Sequence, residues 1–356
     1  MDAPNVWIEG RKSPICDVPP LVFGSMPNDG GYLSDWGDEQ KDAICSANPE
    51  AKSLFRRFLG ASEFINNRTR WCLWLKNASP AIIRSIPQVK DAVANVYKMR
   101  SESSRIGTRK LAEVPTLFGE IRQPESGNYL LVPCHSSENR NYIPLGYISS
   151  DVICSNANLM IPSATLYHFG VLTSSVHMAW MRTVCGRLKS DYRYSANIVY
   201  NNFPWPEVSF NTETQRLKDT EEKFPSESQC LCASVLREDS EKSPNLQNSQ
   251  SPSNESNKVT SAPLRLCVKN NSVCSVSSVV KNITQTAQSI LDARSLYPDS
   301  SLADLYDPLT MPVELRKAHA ANDAAVMKAY GYAPTMTEPE IVADLMKRYQ
   351  ELVVSG

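Results

Sequence analysis

The sequence predicts an α+β chain: a mixed helix-and-strand domain, then a serine-rich stretch without a core, then a small helical domain. Three observations carry that reading. Segments of helical period alternate with short apolar, β-branched or aromatic runs as far as Leu188. Between Ser226 and Ser278 stand fourteen serines among repeated Asn, Gln, Lys and Glu, with little that could form a core. After Asn282 the helical pattern returns. With 356 residues and 42% apolar side chains, the chain is long enough to bury more than one core.

Residues 1–38 are rich in Pro, Gly and Asp, and VPPLVFGSMPNDGGYL reads as loop, short strand and turn, expected to lie over another domain's surface. The mixed domain is expected over 39–206. Within it, Pro49 to Leu59 reads as a short helix opened by Pro and stopped by Gly60. Trp71 to Leu75 reads as a strand. Pro87 opens a longer helix, with Val89, Val93 and Val96 forming its apolar stripe. If that helix runs on toward Lys110, then Lys98, Arg105 and Arg109 share a different face.

Tyr129 to Val132, Ile143 to Ile148 and Asp151 to Ile161 read as strands. Thr165 to Leu188 reads as one long helix, with Leu166, Phe169, Val176, Trp180 and Val184 on a single stripe. Residues 223–281 are expected to form a disordered insertion, because such a composition cannot offset its ordering entropy by burial. In the helical domain, 282–356, the expected helices are Thr284 to Leu296, Val313 to Tyr330 and Pro339 to Val354. The last opens with a capping box between Thr337 and Glu340.

Several function classes drop out. No stretch approaches the roughly 20 apolar residues of a membrane span, and the Met1 end lacks the basic flank and apolar run of an export signal. A cytoplasmic protein without a membrane partner is expected. The ten cysteines are scattered, which predicts buried or free thiols rather than a disulfide framework. Cys230, Cys232, Cys267 and Cys274 cluster locally, but Cys-x-Cys is poor zinc geometry and no nearby His completes a set, so no metal site is expected.

No nucleophile motif is present, and Cys134 and His135 would face opposite ways on a strand. His168 and His177, within an apolar helical pattern, are expected to be packed and hydrogen-bonded. The string FGSMPNDGG has neither dinucleotide nor Walker spacing and reads as a turn. Asp299 and Glu314 lack the correctly spaced lysine of a metal-dependent nuclease. No residue is assigned a catalytic role.

Charge is more informative. The total is -1, yet residues 1–50 carry three basic and nine acidic side chains, 51–203 nineteen and nine, and 204–356 fifteen and twenty. A cationic centre lies between two anionic flanks, the asymmetry of a nucleic-acid-binding segment. Arg68, Arg70, Lys98 and Lys110 fall on its loops and helices as candidates for phosphate neutralisation. Ser, Asn and Arg crowd the stretches Ser101 to Lys110 and Ser136 to Asn141; Arg suits guanine edges and Asn adenine edges.

FLGASEFINNRTRWCLWL (58–75), TRKLAEVPTLFGEIRQP (108–124), YIPLGYISSDVICSN (142–156) and the long string from Thr165 to Pro206 resemble the C-terminal part of MmeI-like, type IIL restriction-modification enzymes, as do residues 2–33 and 296–332. Such enzymes join a nuclease, an adenine-specific DNA methyltransferase and a DNA target-recognition domain in one chain. The resemblance implies a target-recognition domain followed by the C-terminal helical domain, with double-stranded DNA as partner.

S-adenosylmethionine is implied for the full-length family but not for this chain. Its glycine-containing cofactor loop and Asn-Pro-Pro-Tyr/Phe motif are not in the sequence, and Val18-Pro19-Pro20-Leu21 lacks the amide and aromatic ring of a flipped-adenine pocket. Residues 1–38 accordingly read as a remnant of the methyltransferase core or linker, and the chain as a truncated or split gene product. Two alternatives stand beside recognition alone: an active methyltransferase completed by a separately encoded methyltransferase or nuclease half, and a degenerate remnant or protein-interaction scaffold.

By the same match, bases are contacted from Ser103 to Arg109 and from Ser137 to Asn141. The base-reading candidates are Arg105, Ile106, Arg109, Glu138, Asn139 and Arg140, with Glu accepting from cytosine and Arg donating to guanine. An extended segment would place Glu138 and Arg140 on one face. Arg193 joins the backbone candidates. Relatives connect the equivalents of Pro206 and Thr284 by a short helical stretch, so docking of the C-terminal helices does not follow from the match.

Overall fold

The computed structural model describes residues 6–207 and 274–355. The N-terminal loop reaches β1 (Val22–Phe23) and a turn before α1 (Asp38–Ala47). A 3-10 segment, Pro49–Leu54, leads into β2 (Phe55–Leu59), α2 (Ala61–Ile65) and β3 (Trp71–Leu73). Helices α3 (Pro80–Ser85), α4 (Pro87–Ser101) and α5 (Ile106–Lys110) follow. Five strands come next: β4 (Asn128–Pro133), β5 (His135–Ser136), β6 (Gly146–Ser149), β7 (Ile153–Cys154) and β8 (Asn158–Pro162). Helices α6 (Leu166–Leu172) and α7 (Ser175–Val184) precede the hairpin β9 (Gly186–Leu188) and β10 (Asp191–Arg193) and a single π-helical turn, Ala196–Tyr200. The C-terminal helices are α8 (Cys274–Ser295), α9 (Leu302–Leu305), α10 (Val313–Tyr330) and α11 (Glu338–Ser355).

Three small sheets organise the mixed region. The largest has the order β1-β8-β4-β6 with all pairs antiparallel, Leu131 lying opposite Met160 on one side and Gly146 on the other. Its central strand buries Tyr129, Leu130, Leu131 and Val132 in succession, which is why this segment reads as a continuous apolar run rather than an alternating one. A second sheet, β3-β2-β7, joins an antiparallel pair to a parallel one. The third, β5-β10-β9, carries the hairpin.

Two hydrophobic cores result. One unites α1, β2, β3 and α4 through Leu33, Ile44, Phe58, Leu73, Ile86 and Val96. The other is built from the large sheet and α6 and α7 together with the C-terminal helices, so Leu131, Phe169 and Trp180 share it with Ile283, Leu315, Val326 and Leu345. At the crossing of α6 and α8, Gly170 permits close approach: a Cβ there would lie 2.7 Å from Ile283 Cγ2 and 3.1 Å from Ala287 Cβ. The described part of 1–38 is woven into both, through β1 in the large sheet and Leu33 in the other core.

Several local expectations are corrected. Pro49 to Leu59 is helical only in its first half, the 3-10 segment opened by Pro49; its second half is β2, because Phe55 and Phe58 gain burial and pairing partners in β3 and β7 that outweigh local propensity. Gly60 starts α2 instead of stopping a helix, its N–H donating to Glu63 Oε2 at 2.8 Å. The long helix from Thr165 breaks at Ser174, whose hydroxyl donates to the Val171 carbonyl (2.7 Å) and accepts from the His177 N–H (3.3 Å), capping α7. Residues 186–188 are strand β9. Helix α4 stops at Ser101, so Lys98, Arg105 and Arg109 do not share a helical face.

Helix α8 begins at Cys274, within the 223–281 segment expected to lack order; the rest of that segment up to residue 273 lies outside the described residues. At Thr337 one half of the expected capping box forms, Glu340 Oε2 accepting the backbone N–H at 2.7 Å, and the Thr337 hydroxyl donates to the same carboxylate oxygen at 2.7 Å.

Candidate nucleic-acid interface

The first loop is built around Arg100, the last buried residue of α4. Its side chain is fully buried and all five of its N–H bonds go to backbone carbonyls: Asn28 (2.9 Å), Leu111 (3.0 Å), Val114 (3.1 Å), Pro27 (3.1 Å) and Leu117 (2.8 Å). Burial lowers its pKa, but a guanidinium keeps its charge regardless, and converging carbonyl dipoles replace its lost hydration. The fork ties the turn at Pro27 and Asn28 to both ends of the stretch 111–117. Everything between Ser101 and Lys110 is thereby held at its base and displayed at its tip.

That tip carries Arg105, Ile106, Arg109 and Lys110, all exposed; Ile106 keeps 65% of its surface in solvent. Arg109 folds back, donating to the Ser103 (2.8 Å) and Ser104 (3.0 Å) carbonyls, and Asn28 Nδ2 reaches Thr108 Oγ1 at 3.4 Å. Arg105 at the head of α5 and Ile106 beside it are left projecting, a cation next to an apolar surface. Lys98 lies exposed one turn back on α4.

The second loop, Ser137 to Asn141, leaves β5 as a turn and not as the extended segment expected. The Arg140 N–H donates to the Ser137 carbonyl at 3.2 Å and the Asn139 N–H to Ser137 Oγ at 3.3 Å. A turn rotates alternate side chains apart, so Glu138 and Arg140 do not share a face. Glu138 and Asn139 are exposed, whereas Arg140 is half-buried. Burial lowers the Arg140 pKa, against the opposing effects of Asp191 on the hairpin and Asp307 in the C-terminal region. Glu138 receives a backbone partner in Asp191 Oδ1 (3.3 Å) and lies 3.7 Å from Arg187 Nη1.

Among the backbone candidates, Arg68, Lys110 and Arg193 are exposed. Arg70 is committed elsewhere: it pairs with Glu63 at 3.1 Å and lies 4.7 Å from the Phe58 ring. The β9–β10 hairpin, hidden in the sequence by an apparently continuous helix, presents Arg187, Leu188 and Lys189 at its tip. Lys189 has φ 56°, a left-handed turn position that its residue type does not advertise.

Among the described residues, other chemistry has no comparable setting. His177 is buried, its Nε2 2.9 Å from the Tyr194 hydroxyl, and His168 Nδ1 accepts from the Thr165 N–H at 3.0 Å, both packed as expected. Burial holds His177 down at about 3. Free thiols occur at Cys16, Cys45, Cys72, Cys134, Cys154 and Cys185. Cys230, Cys232 and Cys267 lie outside the described residues. Among the described residues no group of three His, Cys, Asp or Glu could hold a metal ion, and no helix is long and apolar enough to cross a membrane.

The glycine-rich turn does not fit an adenosyl cofactor. Both Asp29 carboxylate oxygens are occupied internally by the N–H groups of Gly31 (3.0 Å) and Leu33 (2.7 Å) and by Ser34 Oγ (3.1 Å), and the neighbouring carbonyls face Arg100.

A mixed domain with one basic and one polar loop at its surface, fused through one core to a helical C-terminal unit, has the build of a target-recognition domain with its C-terminal companion. Residues 2–207 match the family model described as MmeI, target recognition domain, and residues 277–355 that described as MmeI, C-terminal domain. The chain belongs to the MmeI family. It is 35% identical over 352 residues to DNA methyltransferase A of Bacillus subtilis (strain 168), covering 99% of this chain and 32% of that protein. The structure of the type IIL restriction-modification enzyme MmeI in complex with DNA superposes with a TM-score of 0.76 at 36% identity, over 99% of this chain and 38% of that one. The chain thus spans about a third of the length of these relatives.

Proposed function

We propose that the chain is a sequence-specific double-stranded DNA recognition module of an adenine-specific methyltransferase or restriction enzyme, without a catalytic centre of its own. The observation that carries this reading is the Arg100 clamp, which spends a buried guanidinium on five carbonyls and thereby presents Arg105 and Ile106 on a pre-organised tip. Pre-organised side chains lose less entropy on reading a groove edge. Arg105, Arg109 and Arg140 suit guanine, Asn139 adenine and Glu138 cytosine, while Ile106 offers an apolar contact to a thymine methyl. Arg68, Lys98, Lys110 and Arg193 supply phosphate contacts, and Arg70 shapes the surface behind them. In this reading S-adenosylmethionine and methyl transfer belong to the part of the relatives that this chain does not span. An active methyltransferase completed by a separately encoded catalytic half is the second reading; the Bacillus relative, of which this chain covers 32%, is named a DNA methyltransferase.

Selection from a pool of random duplexes tests the first reading. The expected result is an enriched motif with salt-dependent affinity, altered at one position when Glu138→Arg is combined with Arg140→Glu. A pool that returns no motif would defeat it. Methyl transfer from labelled S-adenosylmethionine, with and without the neighbouring gene product, tests the second.

A further inference from the structure

We propose that the C-terminal helical unit is part of the recognition apparatus, its side chains fixing the exit of the 137–141 loop and so the base preference of that loop. The inference rests on the reading of this loop as DNA-facing, and adds Tyr142, Arg182 and Asp323 as positioning residues that no contact with DNA requires.

The loop is anchored asymmetrically. Its entry is held within the mixed domain, where β5 pairs with β10, Ser136 opposite Tyr192. Its exit is held from the C-terminal side. The Asn141 carbonyl accepts from Arg182 Nη2 at 3.1 Å, and the same guanidinium meets Glu338 of α11 at 3.0 Å. Tyr142 stacks on His319 of α10, ring centroids 4.1 Å apart at 21°, and its hydroxyl donates to Asp323 Oδ2 at 2.7 Å. Asp323 Oδ1 accepts the Ser175 N–H at 2.7 Å, so one carboxylate joins the loop exit to the start of α7.

Three residues on, the Leu145 carbonyl accepts from Arg294 Nη1 of α8 at 2.6 Å. Arg294 also bonds the Tyr306 hydroxyl, which lies 2.9 Å from His319 Nε2, closing the network behind the Tyr142 ring. Residues 141, 142 and 145 are therefore fixed by directional bonds or stacking from α8 and α10 or from the arginine that α11 holds. Apolar packing alone would secure the domains against each other without specifying these atoms. Directional bonds to a loop's exit fix its path, and displacements below an ångström decide whether a bidentate base contact forms. Arg140 carries the same signature at its side chain, lying in the fields of Asp191 and Asp307 from the two sides.

The test uses the full chain and two variants that leave the loop sequence intact. Tyr142→Phe keeps the stack on His319 and removes the bond to Asp323; Arg182→Met, at a partly exposed site, removes the Asn141 and Glu338 contacts. Discrimination is measured by competing the selected duplex against each single-base variant. The expected result is a loss of about fivefold in discrimination, the scale of one hydrogen bond, at the position altered by the Glu138 and Arg140 exchange. Other positions, the salt slope and non-specific affinity stay unchanged. Equal loss at every position, or unchanged discrimination in both variants, would overturn the proposal while leaving DNA recognition intact. A wild-type chain that selects no motif would overturn both.

Discussion

Asn322 on α10 donates its side-chain amide to the Gly170 carbonyl of α6 at 2.8 Å, and its Oδ1 accepts from Thr286 on α8 at 3.1 Å. A fully buried amide thus bridges three helices where Gly170 lets them meet, and a Cβ on residue 170 would come within 3.0 Å of Asn322 Oδ1. Gly170→Ala is expected to cost about 1–3 kcal/mol through overpacking. Because this contact lies in the core shared by the large sheet and the C-terminal helices, the loss should appear as an earlier urea midpoint of one common transition. A variant that melts its C-terminal helices separately would contradict a shared core.

Arg100 supports a second expectation. Replacing it with Met takes a donor from five part-buried carbonyls: those of Pro27, Leu111 and Val114 keep the backbone N–H of Gly119, Val114 and Leu117, whereas those of Asn28 and Leu117 lose the donor that holds them. Each group left unsatisfied costs on the order of 1 kcal/mol or more, so a total of about 2 kcal/mol or greater is expected. Lysine does not rescue it, since three donors on a flexible stem cannot reproduce a planar fork. The loop should also loosen before the fold does. Limited trypsin digestion, read by mass spectrometry, is expected to cut Arg100→Lys faster after Arg105, Arg109 or Lys110; cleavage at the wild-type rate would show that the clamp does not hold the tip.

Acid stability follows from the buried histidines. His177 is held at about 3 by burial, and His319 is pushed well below its ordinary value by burial, with Arg294 adding to the effect. In the unfolded chain each protonates near pH ~6.5. Between these limits the unfolded state binds protons the folded state refuses, so this contribution is complete above about pH 6.5 and is lost as pH falls toward 3. Asp323 acts oppositely: burial raises its carboxyl to about 6, so the folded state takes up the proton first and gains relative stability as pH falls through that value. Urea midpoints at about pH 7.5 and about pH 5 should therefore show a fall that His177→Gln shrinks and Asp323→Asn enlarges. Equal falls in all three proteins would refute both assignments.

What the sequence disclosed depended on how local the cause was. Val313–Tyr330 was legible to the residue, because its period and the following Gly331, in the left-handed conformation at φ 76°, are local signals. Strand β2 was not, because Phe55–Leu59 becomes a strand only through partners at Trp71–Leu73 and Ile153–Cys154. The two loops could be picked out by composition and by the family resemblance. Their geometry could not: Arg100 is one cation among nineteen in the basic centre, and its burial is decided by carbonyls more than seventy positions away at Pro27 and Asn28. Tyr142 gave no sign that Asp323, 181 positions on, would hold it.

The cations themselves divide by what they already touch. Lys98 and Lys110 are exposed and flank the clamped tip, so each is free to neutralise a phosphate, whereas Arg70 is half-buried between Glu63 and Phe58. Neutralising a phosphate releases a counterion, and losing that contact should lower the log-log salt slope of binding by about 1. Lys98→Ala and Lys110→Ala are expected to do so, weakening all duplexes alike without altering the selected motif. Arg70→Ala should leave the slope alone and instead reduce stability by roughly 1 kcal/mol, since it strips a partly shielded pair. Affinity measured at four or five salt concentrations, beside a urea curve for each variant, separates the two kinds of arginine and lysine. A slope change in Arg70→Ala equal to that in Lys110→Ala would mean that the ion pair with Glu63 opens on binding, and that burial in the free chain does not predict which cations meet DNA.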